Sequence, residues 1–319
     1  MAVVALTGAT GFIGRHTVHR LARDHRVRAL VRTPAEDLAA LGVETVRGDL
    51  DDDAALARLV RGAEVVLHLA GAVHARDRRT FFRVNADGSE RLAHAAAAAR
   101  VSRFVLVSSL AAREPHVSAY AASKAEAEAR VLAVGRPFEL VIVRPPAIYG
   151  PGDRATLDLV RGLARGLLPL PAARRGRFSL LYVEDLAELL VRLVDAPGLD
   201  GLVLEPDDGR TGGWGWDELA AVATTVTGRP VRVLPIPRPL AWLLALAGEV
   251  AARLRGTAPP LPRDRLGQLY HPDWVCAPQA LCHLPDWRPR VDLAEGLRRT
   301  LDWYRASGRP QRLFAGEGP

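Results

Sequence analysis

A tyrosine and a lysine four residues apart carry the clearest chemistry in this sequence. Tyr120 and Lys124 stand in the stretch SAYAASKAEAE at residues 118–128, and this spacing places both side chains on one helix face. A free tyrosine titrates at about pH 10, too high for a base at neutral pH, and a neighbouring ammonium lowers that pKa. The pair can therefore move a proton to or from a substrate oxygen.

Lysine occurs at this position alone. The chain holds 43 lysines and arginines, and Lys124 is the single lysine among them. An ammonium is a compact point charge, whereas a guanidinium is a broad planar fork, so arginine is no substitute beside a tyrosine. A lone lysine at this spacing favours a catalytic pair over an ordinary surface helix with a half-buried tyrosine.

The bulk composition is that of a globular protein with a core. Of the 319 residues, 49% are hydrophobic and 25% are charged, which allows one large or two modest domains. The net charge of +7 favours anionic ligands. The arginines are spread along the whole chain and aromatic residues make up only 6%, so the pattern does not indicate nucleic-acid binding. We expect a phosphate-bearing small molecule instead.

The cysteines and the hydropathy pattern indicate a cytoplasmic protein. Cys276 and Cys282 give no disulfide framework, the first residues lack the features of a signal peptide, and no apolar run reaches transmembrane length. Contact with a membrane surface remains an option. The spacing of His271, Cys276, Cys282 and His283 matches no zinc site, so no metal is expected.

A glycine-rich turn joins the first predicted strand, residues 2–6, to the first predicted helix. Residues 7–14 read TGATGFIG, with glycine at 8, 11 and 14. Such glycines allow a tight turn and close approach of the backbone to a pyrophosphate, which the helix N-terminus also attracts. We expect a dinucleotide to contact Gly8, Thr10, Gly11, Phe12 and Ile13.

The second predicted strand, residues 26–32, bears on the choice between NAD and NADP. An acidic residue near the end of this strand holds the ribose hydroxyls in NAD binders, whereas an arginine suits the 2′-phosphate of NADP. Here the position holds Arg32, and Arg15 follows the last glycine of the turn. The pattern favours NADP, with NAD as the alternative if both arginines merely face solvent.

Four further apolar runs, at residues 44–47, 65–69, 104–109 and 140–144, alternate with helical stretches, of which the one after 65–69 is predicted to start near Asn85 and run to Arg100. Asp49 and Leu50 follow the third strand and are placed to flank an adenine ring, and Ala70 and Gly71 let the backbone approach a cofactor. Ser109 lies at the carboxyl end of the fifth strand, where ligands lie in such sheets. The alternation predicts an α/β fold with a doubly wound parallel sheet.

These motifs together resemble the extended short-chain dehydrogenase/reductase superfamily, also called the NAD-dependent epimerase/dehydratases. The resemblance covers nearly the whole chain and further includes Asn85 in an Asn-x-x-Gly stretch, Arg144-Pro145-Pro146, Tyr149-Gly150-Pro151 and YVEDLA at 182–187. It implies a dinucleotide-binding Rossmann domain over residues 1–150, to which residues 178–205 return. A smaller α/β substrate-binding region would comprise residues 151–177 and 206–319.

The resemblance also implies roles for individual side chains. Tyr120 would be the general acid/base, Lys124 would lower its pKa and bind the nicotinamide ribose, and Ser109 would hydrogen-bond the substrate oxygen. Pro146 would line the nicotinamide, and Asn85 would support the cofactor side of the site, although a helix N-cap is a simpler role for it. The implied activity is that of an NAD(P)-dependent oxidoreductase.

Two departures from the superfamily pattern bear on the substrate. Many nucleotide-sugar epimerases have a longer segment between serine and tyrosine than residues 110–119 provide here, and the acidic residue of strand two is absent. The missing acidic residue disfavours strict use of NAD. The short segment, together with an apolar helix predicted over 239–255, favours a carbonyl or hydroxyl of a hydrophobic substrate such as a lipid or steroid-like ketone, for example in a sphingolipid-pathway ketoreductase. The alternatives are a nucleotide-sugar epimerase/dehydratase and a non-catalytic NADPH-binding accessory protein.

Substrate specificity is expected from the C-terminal part of the chain, where residues 216–227 predict a helix. A helix is predicted over 239–255, apolar nearly all round, which would roof the substrate cleft, contact a membrane surface or belong to the core. Arg174, Arg175 and Arg177 precede a strand predicted at 178–183 and would hold an anionic substrate group or form a solvated loop. The stretch 296–304 predicts a closing helix under the cofactor domain, and a homodimer remains an option.

Overall fold

The computed structural model of this protein describes residues 1–75, 77–135, 137–153, 162, 165–170, 173–255, 257 and 261–306. In chain order the strands are β1 (Val3–Thr7), β2 (Arg26–Val31), β3 (Glu44–Arg47), β4 (Val65–His68), β5 (Arg103–Val107), β6 (Glu139–Val143), β7 (Ala147–Tyr149), β8 (Leu167–Leu170), β9 (Arg177–Phe178), β10 (Leu180–Tyr182), β11 (Val203–Leu204), β12 (Trp214–Gly215), β13 (Arg232–Pro235) and β14 (Asp273–Trp274).

The helices with described bounds are α1 (Phe12–Asp24), α2 (Glu36–Ala39), α3 (Asp53–Val60), α4 (Arg78–Phe82), α5 (Gly88–Ala98), α6 (Ala119–Ala133), α7 (Val183–Asp195), α8 (Trp216–Thr227), α9 (Arg238–Arg255), α10 (Asp264–Leu269) and α11 (Leu293–Ala306). Residues 154–161, 163–164, 171–172, 256, 258–260 and 307–319 of the predicted substrate-binding region lie outside the described residues.

Seven of the described strands form one parallel sheet, in the order β11-β6-β5-β4-β1-β2-β3. Val4 of β1 aligns with Val27 of β2 on one side and with Val65 of β4 on the other. The chain first runs outward through β2 and β3, then returns to β4 and continues in the opposite direction. This confirms the predicted doubly wound α/β fold, in which ligands bind at the carboxyl ends of strands near the reversal of strand order.

Helices cover both faces of this sheet, which explains why its strands read as continuous apolar runs. Along β1, Val4 and Leu6 face one side and Ala5 faces the other, because successive strand residues point in opposite directions. On the first face, Leu21 of α1 and Leu190 of α7 are fully buried. On the second face, α3 and α5 supply the apolar side chains.

The helix predicted to start near Asn85 starts earlier. It begins at Arg78, where the carboxylate of Asp77 accepts a hydrogen bond from the Thr80 backbone N–H at 2.7 Å and so caps the first turn. A π-helical turn, Arg83–Asp87, then joins α4 to α5 and contains Asn85. The N-cap role considered for Asn85 is therefore wrong, and the π turn is of the kind that often marks a functional site.

A third apolar cluster holds the C-terminal region together. Tyr149, Phe178, Leu219 and Leu297 belong to it, so α8 and α11 pack against each other. α11 thus packs against Tyr149 and Phe178 of the predicted cofactor domain and adds no residue to the core cluster under the sheet. Trp287, in the segment before α11, is the side chain that packs against the core under the sheet.

The strand predicted at 178–183 is two short strands in different sheets. Phe178 of β9 pairs with β12 and β14, whereas β10 pairs with β7. Ser179 lies between them and donates its backbone N–H to the Trp274 carbonyl at 2.9 Å. Val183 already belongs to α7.

The helix predicted from residue 216 is confirmed. At the start of this helix, α8, the Glu218 carboxylate accepts a hydrogen bond from the Gly215 backbone N–H at 2.7 Å. Gly228 ends the helix in the left-handed region with φ of +67°, a conformation that glycine adopts without steric cost.

The long helix α9 packs through small side chains and exposes large ones. Ala241, Ala245 and Ala252 are buried, while Leu243 and Leu244 are more than half exposed, at 57% and 55%. The default expectation that this segment belongs to the core is therefore wrong for its leucine face. Within the described ranges, no helix combines the length and the apolar character needed to cross a membrane.

Candidate active site

The glycine turn after β1 forms a cradle that larger residues could not build. Gly8 has φ of +77°, and a Cβ atom there would lie 2.7 Å from the backbone nitrogen of Ala70. A Cβ on Gly14 would overlap the Gly8 carbonyl oxygen. Gly11 is the N-cap of α1 and makes no side-chain capping bond, so the first N–H groups of that helix can bind phosphate oxygens.

The other predicted contacts of this turn are accessible. Thr10 and Gly11 are exposed, and Phe12 and Ile13 are half-buried at the start of α1. The cradle therefore fits the pyrophosphate of a nicotinamide dinucleotide. Bound there, such a cofactor would supply a hydride to the site or accept one from it.

A chain of buried hydrogen bonds fixes the backbone beside this cradle. The Ala70 N–H donates to Thr7 Oγ1 at 3.2 Å, and Thr7 Oγ1 lies 2.6 Å from His68 Nδ1. His68 Nε2 lies 2.8 Å from Ser89 Oγ, which donates to the Asn85 carbonyl at 2.6 Å. Burial and the charge of Lys124 lower the pKa of His68 to about 3, so the ring is neutral. Because the Ser89 hydroxyl donates to Asn85, its oxygen must accept from His68 Nε2, so the neutral ring carries its proton on Nε2.

Asn85 braces the cofactor loop against the tyrosine helix α6. Its Oδ1 accepts from the Ala72 N–H at 2.7 Å, and its Nδ2 donates to the Ala72 carbonyl at 3.0 Å and to Ser123 Oγ at 2.9 Å. Gly71 lies directly against this contact, since a Cβ there would be 3.2 Å from Asn85 Oδ1 and 3.6 Å from Lys124 Nζ. Ala70, Gly71 and Asn85 are thus brought next to Lys124.

The tyrosine helix brings Tyr120 and Lys124 to the carboxyl end of β5. Ser118 caps the helix by accepting from the Ala121 N–H at 3.0 Å. Lys124 is buried and donates from Nζ to the Val107 carbonyl at 2.9 Å. Burial lowers the pKa of Lys124 to about 8, while the charge of Glu128 raises it.

The charge acting on Tyr120 comes from a residue that the sequence did not indicate. Burial raises the pKa of Tyr120, and a hydrogen bond with Ser109 and the charge of Arg265 lower it. Lys124, expected to have this effect, points its ammonium at a backbone carbonyl instead. Phe81 packs edge-on against Tyr120, with ring centroids 6.1 Å apart. Ser109 and Tyr120 are therefore hydrogen-bonded to each other, with Lys124 one turn further along the helix.

At the adenine end, the predicted residues occupy different environments. Leu50 is buried in the core, where a Cβ on Gly88 would lie 2.9 Å from its side chain, while Asp49 is exposed. Arg32 is exposed just beyond β2. Arg15 is held by Asp37 at 2.6 Å in an exposed ion pair.

At the nicotinamide end, Pro146 is half-buried between β6 and β7. The preceding carbonyl, that of Pro145, accepts from the Leu110 N–H at 2.9 Å and so ties this turn to the loop that follows Ser109.

A buried ionic network under the tyrosine helix escaped the sequence reasoning. Glu128, one turn beyond Lys124, accepts from Arg144 Nη2 at 2.6 Å and also from the Ser108 hydroxyl. Arg144 lies 3.7 Å from Glu205, which lies 3.2 Å from Arg113. The network ties α6 to the ends of β5, β6 and β11. The residues in the sequence that could have indicated it are Glu128, four positions after Lys124, and Arg144 of the Arg-Pro-Pro motif.

The arginines that precede β9 make their contacts around the start of α8. Arg177 donates to the carbonyls of Gly212 and Gly213 and pairs with Glu218 at 3.3 Å. Arg174 lies 4.0 Å from Asp217. These contacts attach the segment to the start of α8.

Comparisons with known proteins identify the family of this fold. Residues 4–201 match the model of the NAD dependent epimerase/dehydratase family. A ceramide reductase of Caulobacter vibrioides is 43% identical over 309 residues, which cover 96% of this chain and 95% of that protein. A UDP-glucose 4-epimerase of Vibrio cholerae is 28% identical over 94% of this chain and 95% of that protein.

Among solved structures, MoeE5 in complex with UDP-glucuronic acid and NAD superimposes with a TM-score of 0.72 at 22% identity, covering 96% of this chain and 100% of that one. At that identity the likeness concerns the fold. The family match over most of the chain and the full-length likeness to a reductase confirm the resemblance drawn from the motifs. The chain belongs to the NAD-dependent epimerase/dehydratase family of extended short-chain dehydrogenases/reductases and is an NAD(P)-dependent oxidoreductase.

Proposed function

We propose that this protein reduces a ketone on a ceramide-type lipid, an acylated long-chain amino alcohol, with NADPH as the hydride donor. The observation that carries the substrate class is the 43% identity to a ceramide reductase over nearly the full length of both chains. The short loop between Ser109 and Tyr120 supports an apolar substrate over a nucleotide sugar.

In the proposed reaction, the bound cofactor supplies the hydride to the ketone carbon and the chain supplies the proton. Tyr120 donates its proton to the ketone oxygen, and the Ser109 hydroxyl holds that oxygen by a hydrogen bond. The tyrosinate formed is stabilised by the positive charge of Arg265. A ketone, a hydride and a proton then give the alcohol, and a proton from solvent restores Tyr120.

The proposed preference for NADPH rests on Arg32. Its exposed guanidinium follows β2, where the extra 2′-phosphate of NADP lies in this fold. Arg15 could help only by giving up its ion pair with Asp37 at 2.6 Å. NADH remains the alternative donor.

The decisive experiment offers the purified protein two substrates in separate assays with NADPH. A keto form of a ceramide-type lipid, presented in detergent micelles, should yield the alcohol by mass spectrometry, with one NADPH consumed per product. UDP-glucose is the competing substrate. Conversion of UDP-glucose to its epimer without net NADPH consumption, with the lipid ketone untouched, would replace this function by the epimerase alternative.

We further propose that α9 is the contact with a membrane surface that brings the lipid substrate to the enzyme. Leu240, Leu243, Leu244, Val250 and Leu254 are exposed and follow helical spacing along one stripe. A helix of a globular protein turns its large apolar residues inward, whereas here alanines face the protein. The exposed stripe therefore needs an apolar partner.

Arginines at the ends of α9 indicate that this partner is anionic. Arg238 begins the helix, and Arg253 and Arg255 lie in its last turn, all exposed. A helix with an apolar stripe and flanking arginines binds in the plane of an anionic lipid surface. The alternative occupant is the α9 stripe of a second copy, which would give the homodimer considered from the sequence.

Vesicle sedimentation tests this contact. The protein should sediment with phosphatidylglycerol vesicles more than with neutral ones, and the double variant Leu243→Glu, Leu244→Glu should abolish this. Leu132→Glu is the matched control, because Leu132 is 55% exposed on α6 and away from the stripe. Equal sedimentation of the double variant, or a dimer in sedimentation velocity that this variant dissociates, would contradict membrane contact.

The division of the chain is proposed along the same lines. Residues 1–150 with 178–205 would form the dinucleotide-binding domain, since α7 packs on α1 and β11 pairs with β6. Residues 151–177 and 206–319 would form the substrate-binding region. In the third apolar cluster, α8 and α11 of this second unit pack against Tyr149 and Phe178 of the first.

A further inference from the structure

The short helix α10 is docked onto the start of the tyrosine helix. Asp264 accepts a hydrogen bond from the Ala119 backbone N–H at 2.8 Å, and Gln268 Oε1 lies 3.3 Å from Ser118 Oγ. Gly267 allows the approach, because a Cβ there would overlap the Val117 carbonyl oxygen. These contacts hold Arg265 beside Tyr120.

The Arg265 guanidinium is half-buried there, and no carboxylate of the described residues pairs with it. Burial lowers the pKa of its guanidinium, and the charge of Arg265 in turn lowers the pKa of Tyr120. Among the residues that the structure describes, the single hydrogen-bond partner of the guanidinium is His74 Nδ1 at 3.3 Å. Burial and the nearby Arg265 lower the pKa of His74, so its ring is neutral and accepts the bond.

Other arginines near the sheet are paired with carboxylates. Arg144 binds the carboxylate of Glu128 at 2.6 Å, and Arg103 binds that of Glu139 at 2.5 Å. A guanidinium without a carboxylate partner keeps N–H groups that can bind an oxygen atom of a ligand. In Arg265 these N–H groups belong to the helix docked on the start of the tyrosine helix, beside Tyr120.

We propose that Arg265 is the specificity-determining residue of this site and binds the amide carbonyl oxygen of the acylated substrate next to the ketone. This inference rests on the proposed function. In a ceramide-type ketone the amide-bearing carbon adjoins the ketone carbon, so Tyr120 on one oxygen and Arg265 on the other hold the two groups together. His74 orients the guanidinium by accepting one of its N–H groups.

The same charge selects against a free amine. An unacylated amino ketone offers an ammonium in place of the amide oxygen, and two cations at hydrogen-bond distance in a partly desolvated site repel each other. Arg265 thus favours the acylated lipid by attraction and disfavours its unacylated precursor by repulsion.

The experiment compares kcat/KM for an N-acylated amino ketone and for a plain ketone of equal chain length, with NADPH. In Arg265→Met, we expect the preference for the acylated substrate to fall by about 10- to 100-fold, the worth of a hydrogen bond to a charged group. Arg265→Lys should retain part of it. Arg263→Met is the matched control, because Arg263 pairs with Glu249 at 2.9 Å instead of facing Tyr120.

The outcomes separate the two proposals. A parallel loss on both substrates in Arg265→Met, or no change in their ratio, would overturn the role of Arg265 while leaving the ketone reductase intact. Failure of the unaltered protein to reduce either ketone would instead remove the proposed function. Thermal unfolding of each variant shows whether a loss reflects misfolding, and in that case Arg265→Lys, which keeps the charge, decides.

Discussion

Asp264 accepts a hydrogen bond from the Ala119 backbone N–H at 2.8 Å, across 145 residues of chain. Ala119 begins the tyrosine helix, so a carboxylate from the C-terminal region binds the positive end of the helix that carries Tyr120. The helix thus has its own cap, Ser118, and a second one from a distant segment.

Replacing Asp264 tests whether this contact positions the catalytic helix. Asp264→Ala should destabilise the protein by about 1 kcal/mol, the usual cost of a lost helix cap, and lower kcat more than it raises KM for NADPH. Asp264→Asn keeps an acceptor oxygen, so its stability and kcat should lie between those of the unaltered protein and those of Asp264→Ala. Denaturant unfolding and steady-state kinetics measure both effects; an unchanged kcat in Asp264→Ala would show that the contact is purely a matter of stability.

Removing the Tyr120 hydroxyl tests the proton donor. Tyr120→Phe should lower turnover by roughly 10²- to 10⁴-fold, because a positioned acid contributes that much, while NADPH binding by calorimetry stays nearly unchanged. Tyr182→Phe is the control, since it removes a hydroxyl from a buried tyrosine outside the site. Retention of most activity in Tyr120→Phe would refute the assigned mechanism.

The lowered pKa of Lys124 predicts a pH-dependent stability. Its pKa falls from 10.5 to about 8 on folding, so between those values the unfolded chain binds a proton that the folded chain does not. The contribution of Lys124 to the free energy of unfolding should therefore rise with pH across that window. The difference between the unaltered protein and Lys124→Met, measured by urea unfolding from pH 7 to 11 or so, should show this rise. A flat difference would mean that the ammonium is better solvated than its burial indicates.

The lowered pKa of His68 predicts a loss of stability at acidic pH. Its pKa falls from 6.5 to about 3 on folding, so below pH 6.5 the unfolded chain takes up a proton that the folded chain excludes. Stability should therefore fall as the pH drops from 6.5 towards 3. His68→Gln, which cannot be protonated, should lose less stability over this range in acid-unfolding curves, and an equal loss would rule out His68 as the group responsible.

Arg32 and Arg15 can be distinguished by cofactor binding. Arg32→Ala should weaken NADPH but not NADH, and added salt should reduce the difference because exposed charges are screened. Arg15→Ala, in which the partner Asp37 is set free, should affect NADPH less. Equal affinities of the unaltered protein for NADPH and NADH by calorimetry would sink the proposed preference.

Local patterns were enough to predict much of the sheet and the glycine cradle. The strand at 44–47 and the helix at 216–227 fall where the sequence indicates them, because strand alternation and glycine helix ends are encoded within a few residues. The spacing of Tyr120 and Lys124 likewise fixes their shared helix face. The start of α4 was missed because its cap, Asp77, stands among arginines that resemble a solvated loop.

What depends on distant contacts required the tertiary structure. Glu128 pairs with Arg144, and the charge of Arg265 acts on Tyr120, only when strands and helices far apart in sequence pack together. The exposure of the α9 leucines was equally hidden, because a helix apolar on all sides does not say which face will be covered. The sequence by itself determined the fold class, the glycine cradle and the Tyr120–Lys124 spacing, since these follow from local backbone geometry. Only the tertiary structure decided which charge acts on Tyr120, because electrostatic interactions depend on distance and burial in space, and neither can be read from positions along the chain.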